Sequence, residues 1–298
     1  MPDPSKEHRE DFLAAIRERF RSVREEIARW VDDEDIFGLR TDTNTPATAA
    51  ESPDDAPDVF RFQTNSAKVG AFLTWLGDRV QQDVLEPADR EAIQSGEHWT
   101  ADLLRPAYVQ AWQQGRSRLR TAGVSVGPAE DVDDIFQLPV AERDLRRIYT
   151  RTYENLQSVT ADVADPVRET LTEGLEQGWN PEKTARKLDN EVESLQRSEA
   201  ETLARTETVN TYTEGTISRY KRAGVDTVQH GEWTDAGDNR VCPICSTLDG
   251  REIPLATIDQ ETFTYSPDGD EPDSLAVTYG LKPPIHPNGR CVLTPVID

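Results

Sequence analysis

Every cysteine in the chain lies between residues 242 and 291, in Cys242-Pro-Ile-Cys245 and in His286-Pro-Asn-Gly-Arg-Cys291. Two sulfurs on one tight turn give the bite that a tetrahedral metal accepts, and His286 with Cys291 supplies the other half of a Cys3His set. Such a set joins two loops far apart in sequence. A segment with few large apolar residues needs a staple of this kind. The competing readings are three buried thiols packed as small hydrophobes, or a redox-active Cys-x-x-Cys. A redox motif belongs between a strand and a helix of a βαβ unit, a context the surrounding residues do not supply. Four protein ligands leave no position for water, so the expected ion is a structural zinc rather than a hydrolytic one. His230 is near enough in sequence to replace a ligand but reads as a strand residue. His8 and His98 read as surface residues.

The rest of the chain is mainly helical in pattern. Phe12, Ile16, Phe20, Val23, Ile27 and Trp30 recur at steps of three and four, which predicts an amphipathic helix over 5–31. That helix either packs on its own body or docks on a partner through Phe12, Ile16, Phe20 and Val23. Residues 41–57 are rich in Pro, Thr and acids and read as a linker. Helical stripes then continue to Gly224, with Asn180 a ready N-cap for Pro181. Beyond Gly224 short alternating runs appear, such as "VDTVQHGEWT", "REIPL" and "CVLTPVI". Residues 259–280 read as an insertion loop. The expected fold class is α+β: a 1–40 N-terminal helix, a 41–57 linker, a 58–224 helical domain and a 225–298 zinc-stapled, β-rich C-terminal module that looks self-contained.

Within the last long helix, the face traced by Leu203, Ile217 and Tyr220 passes through Glu207, Asn210 and Glu214, inside the polar run "ARTETVN". Polar groups there must be paired if they are buried. Arg205, Thr206, Glu207, Asn210 and Arg290 are therefore expected to form a structural network, with Arg290 the nominated partner of Glu207. The alternative is a rotated helix that leaves this face wet and turns Val209 and Tyr212 inward.

A net charge of −23 argues against binding nucleic acid through the overall field, because phosphate needs cationic partners, although a local Arg patch remains open. No apolar run approaches a membrane span, and no secretory signal is evident.

The stretches "ARTETVNTYTEGTISRYKRAGV", "EWTDAGDNRVCPICSTLDGREIPL" and "PPIHPNGRC", in that order, resemble the Mu F-like head morphogenesis family of tailed viruses. The likeness spans roughly 165–298, and Gly289 stands where the family pattern has the first cysteine of its terminal His-Pro-x-Cys-Arg-Cys. The resemblance implies a non-enzymatic minor capsid protein in the head interior or at the portal vertex. Its partners would be the portal and other head proteins, and it would pass through host cytoplasm during assembly. The rival readings are a metal-dependent nuclease of the His-Asn-His type, which needs a second histidine beside the metal, and a zinc-stabilised protein-interaction module. Only six of the 33 basic residues are Lys, an acidic, Lys-poor composition that resembles salt-in halophiles. The expected source is a virus of a salt-loving host, the alternative being an acidic protein of ordinary cytoplasm.

Overall fold

A computed structural model describes residues 5–40, 57–224, 226–267 and 276–297. The expected linker, apart from Pro57, lies outside the described residues. In chain order the helices are α1 (Lys6–Ala28), α2 (Asn65–Arg79), α3 (Arg90–Ser95), α4 (Thr100–Thr121), α5 (Val132–Phe136), α6 (Pro139–Ala161), α7 (Ala164–Gln177), α8 (Pro181–Leu195), α9 (Glu201–Ala223) and α10 (Pro243–Leu248). The strands are β1 (His230–Thr234), β2 (Glu252–Pro254), β3 (Thr262–Tyr265), β4 (Val277–Gly280) and β5 (Val292–Val296). The class is α+β, as expected.

Local signals set these ends. Asn180 Oδ1 accepts the Lys183 amide at 2.8 Å and caps α8, and Gly123 and Gly224 take left-handed backbone just past α4 and α9. No described helix is long and apolar enough to cross a membrane.

The chain divides into two compact units, each assembled from separated stretches: Met1–Phe12, Arg90–Thr152 and Thr202–Asp298 form one, and Leu13–Asp89 with Tyr153–Glu201 the other. In the second unit α2, α7 and α8 pack together. Arg24 of α1 grips Asp189 of α8 with Nε at 2.5 Å and Nη2 at 2.7 Å. Phe12, Ile16, Phe20 and Val23, the residues offered above as partner anchors, are at most 1% exposed. This corrects the docking alternative: the apolar stripe of α1 is spent within the chain, because rings and branched side chains at that spacing bury wherever a core is at hand.

In the first unit, β2-β1-β5 form an antiparallel sheet and β3-β4 a hairpin. The hairpin corrects the insertion loop expected over 259–280. Thr262-Phe-Thr-Tyr265 and Val277-Thr-Tyr-Gly280 are β-branched and aromatic enough to pair across the turn-prone residues between them. Leu119 of α4 and Ile217 and Tyr220 of α9 share one core with Trp233, Leu248, Ile253, Leu255 and Leu293. The C-terminal residues are thus built onto two helices rather than closed upon themselves.

Candidate metal centre

Cys242 ends an extended approach to α10, and its Sγ accepts the Cys245 amide at 3.4 Å, so the Cys-x-x-Cys turn is the first turn of that helix. His286 comes from the loop before β5. The Pro287 carbonyl lies 2.7 Å from its Nδ1 and can only accept, so the lone pair of the neutral ring is on Nε2. That atom lies 3.0 Å from Cys242 Sγ and 3.3 Å from Cys245 Sγ. The ligand atoms of Cys242, Cys245 and His286 all lie within 4.8 Å of one another. Two soft sulfurs and an imidazole lone pair converging on one point fit a divalent metal.

Cys291 lines the same small pocket but stands beside Cys245, outside that three-residue group. The Cys245 thiol is pushed up by donating to Cys291 and by burial, whereas accepting that hydrogen bond holds Cys291 below its ordinary value. The buried indole nitrogen of Trp233 faces the Cys291 sulfur. Its positive edge favours the thiolate. A proton shared between two sulfurs is one that a metal displaces.

The loop carrying His286 is held from two sides. Asn288, in left-handed backbone at φ 64°, donates its amide to Thr206 Oγ1 at 3.2 Å and its Nδ2 to Thr202 Oγ1 at 3.0 Å. Arg290 donates from both terminal nitrogens to Asp238 at 2.6 and 2.7 Å, which holds that carboxyl well below its usual range. A Cβ on Gly289 would come within 2.8 Å of Pro284 Cβ and 3.1 Å of the His286 carbonyl, so this loop closes only around glycine.

The polar run of α9 engages α6 and the metal loop. Glu207 is completely buried, and its carboxylate accepts from Arg151 Nε and Thr152 Oγ1 of α6, each at 3.0 Å. Each member of the nominated Glu207–Arg290 pair therefore has a partner of its own, and α9 reaches the metal loop through Thr202, Thr206 and Asn288. Arg205 and Asn210 are half-buried. Glu214 is bound by Arg147 at 2.8 Å and by Lys282 at 2.7 Å, and Lys282 also reaches Asp259 at 2.7 Å. Asn288 is the functional residue that sequence reasoning missed. Its one signal was a His-Pro-Asn-Gly turn, where Asn tolerates φ above zero.

His98 is buried rather than exposed, its Nδ1 2.8 Å from Thr100 Oγ1, and His8 meets Gln110 at 3.0 Å. His230 faces Pro254 and Val296 in the sheet register.

Comparison with curated proteins and with solved structures gave no match. Residues 165–294 match the family model described as Phage Mu protein F like protein, a segment that contains α9, most of the sheet and all four residues considered for the metal. It is in this segment, rather than over its whole length, that the chain is similar to the Phage Mu protein F like family.

Proposed function

We propose that this chain is a head morphogenesis protein of a tailed virus. It is a minor capsid component that works at the portal vertex without catalysing a reaction, and Cys242, Cys245, His286 and Cys291 hold a structural zinc. The observation that carries this reading is the convergence of two thiols and an oriented imidazole on a point tied to α9, inside the segment that matches the family. Zinc, when bound, supplies a cross-link between the Cys242 turn and the His286 loop. The chain's own residues orient that cross-link: Pro287 fixes the ring, Asn288 and Arg290 fix the loop, and Cys291 completes a sulfur-rich set that leaves no place for water. The nuclease alternative needs a second histidine, and among the described residues the metal-competent group contains only His286.

The test has two parts. Elemental analysis of purified protein is expected to give about one zinc per chain, as a single four-ligand site requires. Mass spectrometry of purified particles is expected to find the chain at low copy number beside the portal protein, and the two are expected to co-purify. Metal-free protein with three freely reactive thiols would overturn the zinc, and particles devoid of the chain would overturn the virion role. Cleavage of plasmid by the metal-loaded protein, lost on His286→Ala, would overturn the non-enzymatic reading.

A further inference from the structure

Acids outnumber bases 56 to 33, yet where α4 meets the end of α9 the cations outnumber the acids beside them. Arg219 is 3% exposed, and its Nε is buried with no hydrogen-bond partner. Its guanidinium lies over the Trp112 ring, 5.7 Å from the centroid. Burial makes the charge on Arg219 harder to hold; the nearby Glu130 carboxylate offsets part of that cost, and Arg116 and Arg222 add to it. Arg116 donates from Nη2 to the Gly127 carbonyl at 2.7 Å, and its Nε too is buried without a partner. Among the described residues a single carboxylate serves the group. Glu130, between α4 and α5, accepts from Arg222 Nε at 3.1 Å and lies 3.4 Å from Trp112 Nε1. Three guanidinium charges against one carboxylate leave an excess of two.

We propose that Arg116, Arg219 and Arg222, set over Trp112, form a phosphate-binding site that Glu130 partly occupies in this structure. A buried guanidinium with no acceptor costs folding free energy, so a protein that keeps one has reason to meet an anion there. The chain's own carboxylate marks the spot and shows its shortfall: its two oxygens bond Arg222 and Trp112, and its charge reaches Arg219 without a hydrogen bond to it. A tetrahedral phosphate offers more acceptor oxygens and up to two charges, and guanidinium forks match it bidentately. The cation–π contact with Trp112 helps hold Arg219 in place, which lowers the ordering cost of meeting an anion. The phosphate is either the free ion or one in a nucleic-acid backbone. The overall charge of −23 repels a polyanion, so the free ion is the form expected to bind at low salt.

The experiment is titration of the full chain with inorganic phosphate at constant ionic strength, followed by calorimetry and by the thermal midpoint. Saturable binding is expected. Arg116→Gln and Arg222→Gln, which change the two more exposed arginines, are each expected to weaken it by roughly tenfold or more, the scale of a lost charge-assisted hydrogen bond. Glu130→Gln is expected to tighten it by removing the competing carboxylate. Parallel titrations use a short DNA duplex and acetate. Duplex binding lost on Arg116→Gln assigns the phosphate to a nucleic-acid backbone, and binding of inorganic phosphate alone assigns it to the free ion. Acetate binding as tight as phosphate, or phosphate binding untouched in folded Arg116→Gln and Arg222→Gln, overturns the site. So does an absence of saturable phosphate binding in the unaltered protein.

Discussion

Asn288 joins a left-handed backbone to two hydrogen bonds on α9, and the two contributions are separable. Asn288→Gly keeps the backbone and loses the side-chain bond, an expected cost of about 1 kcal/mol by urea denaturation. Asn288→Ala adds backbone strain of about 1–2 kcal/mol. Equal losses for the two variants would mean that the backbone carries no strain. Glu207 poses a heavier demand, since removing one member of a buried pair costs about 3–5 kcal/mol. Arg151→Ala is expected near the lower end, because its side chain is 31% exposed. A double-mutant cycle should give a larger coupling for Glu207 with Arg151 than for Glu207 with Arg290. The burial of Glu207 was legible in the sequence because the residue continues an apolar face. Its cation was not, because Arg151 sits among the many charges of α6 and nothing local distinguishes it. Asp144 of α6 behaves oppositely to a salt-bridged acid. Burial raises its pKa, against a hydrogen bond from Ser218 and the charges of Arg143 and Arg147. Its ionised form is the less favourable one in the folded state, so it contributes more stability as pH falls through its raised value. Asp144→Asn should flatten that part of the stability profile.

At the scale of elements, α9 stands apart because all ten residues from Thr211 to Tyr220 are buried. A helix covered on every side has no wet face to carry its polar groups. Thr211 and Thr216 therefore return their hydroxyls to backbone carbonyls one turn back, while Glu207 and Glu214 find cations on neighbouring elements. Close approach to α4 fixes the remaining requirement. A Cβ on Gly215 would come within 2.7 Å of the Tyr108 carbonyl and 3.0 Å of Ala111 Cβ. Gly215→Ala is expected to lower the thermal midpoint through an overpacking cost of about 1–3 kcal/mol, despite the gain of about 1 kcal/mol in helix propensity. Gly70→Ala in α2, where nothing lies within 4 Å, should show the propensity gain alone. The opposite ranking would mean that α4 and α9 yield to each other easily. The sequence pattern located both helices from their apolar steps and caps. The crossing stayed hidden, because a mid-helix glycine does not name the backbone it touches.

Across the whole molecule, the metal loops, the sheet and helices α4 and α9 form one apolar core. Stripping metal with a chelator is therefore expected to raise amide hydrogen exchange at least about tenfold in α4 and α9 as well as in residues 226–297. Cys242→Ser should do the same without chelator. Exchange confined to 226–297 would show that the helices do not depend on the metal. The sequence made the C-terminal residues look independent, since their ligands, turns and short strands are all local signals. The long-range partners Leu119 and Tyr220 read only as ordinary helix residues. That shared core also bears on inheritance. The family match begins at 165, beyond α4, yet Leu119 of α4 lines the same interior as Trp233 and Leu293. A recombination event that exchanged the matched segment alone would seat a foreign sheet against a resident helix shaped for another. Viable exchanges should therefore carry the two stretches together, or be followed by compensating changes at positions 115–119.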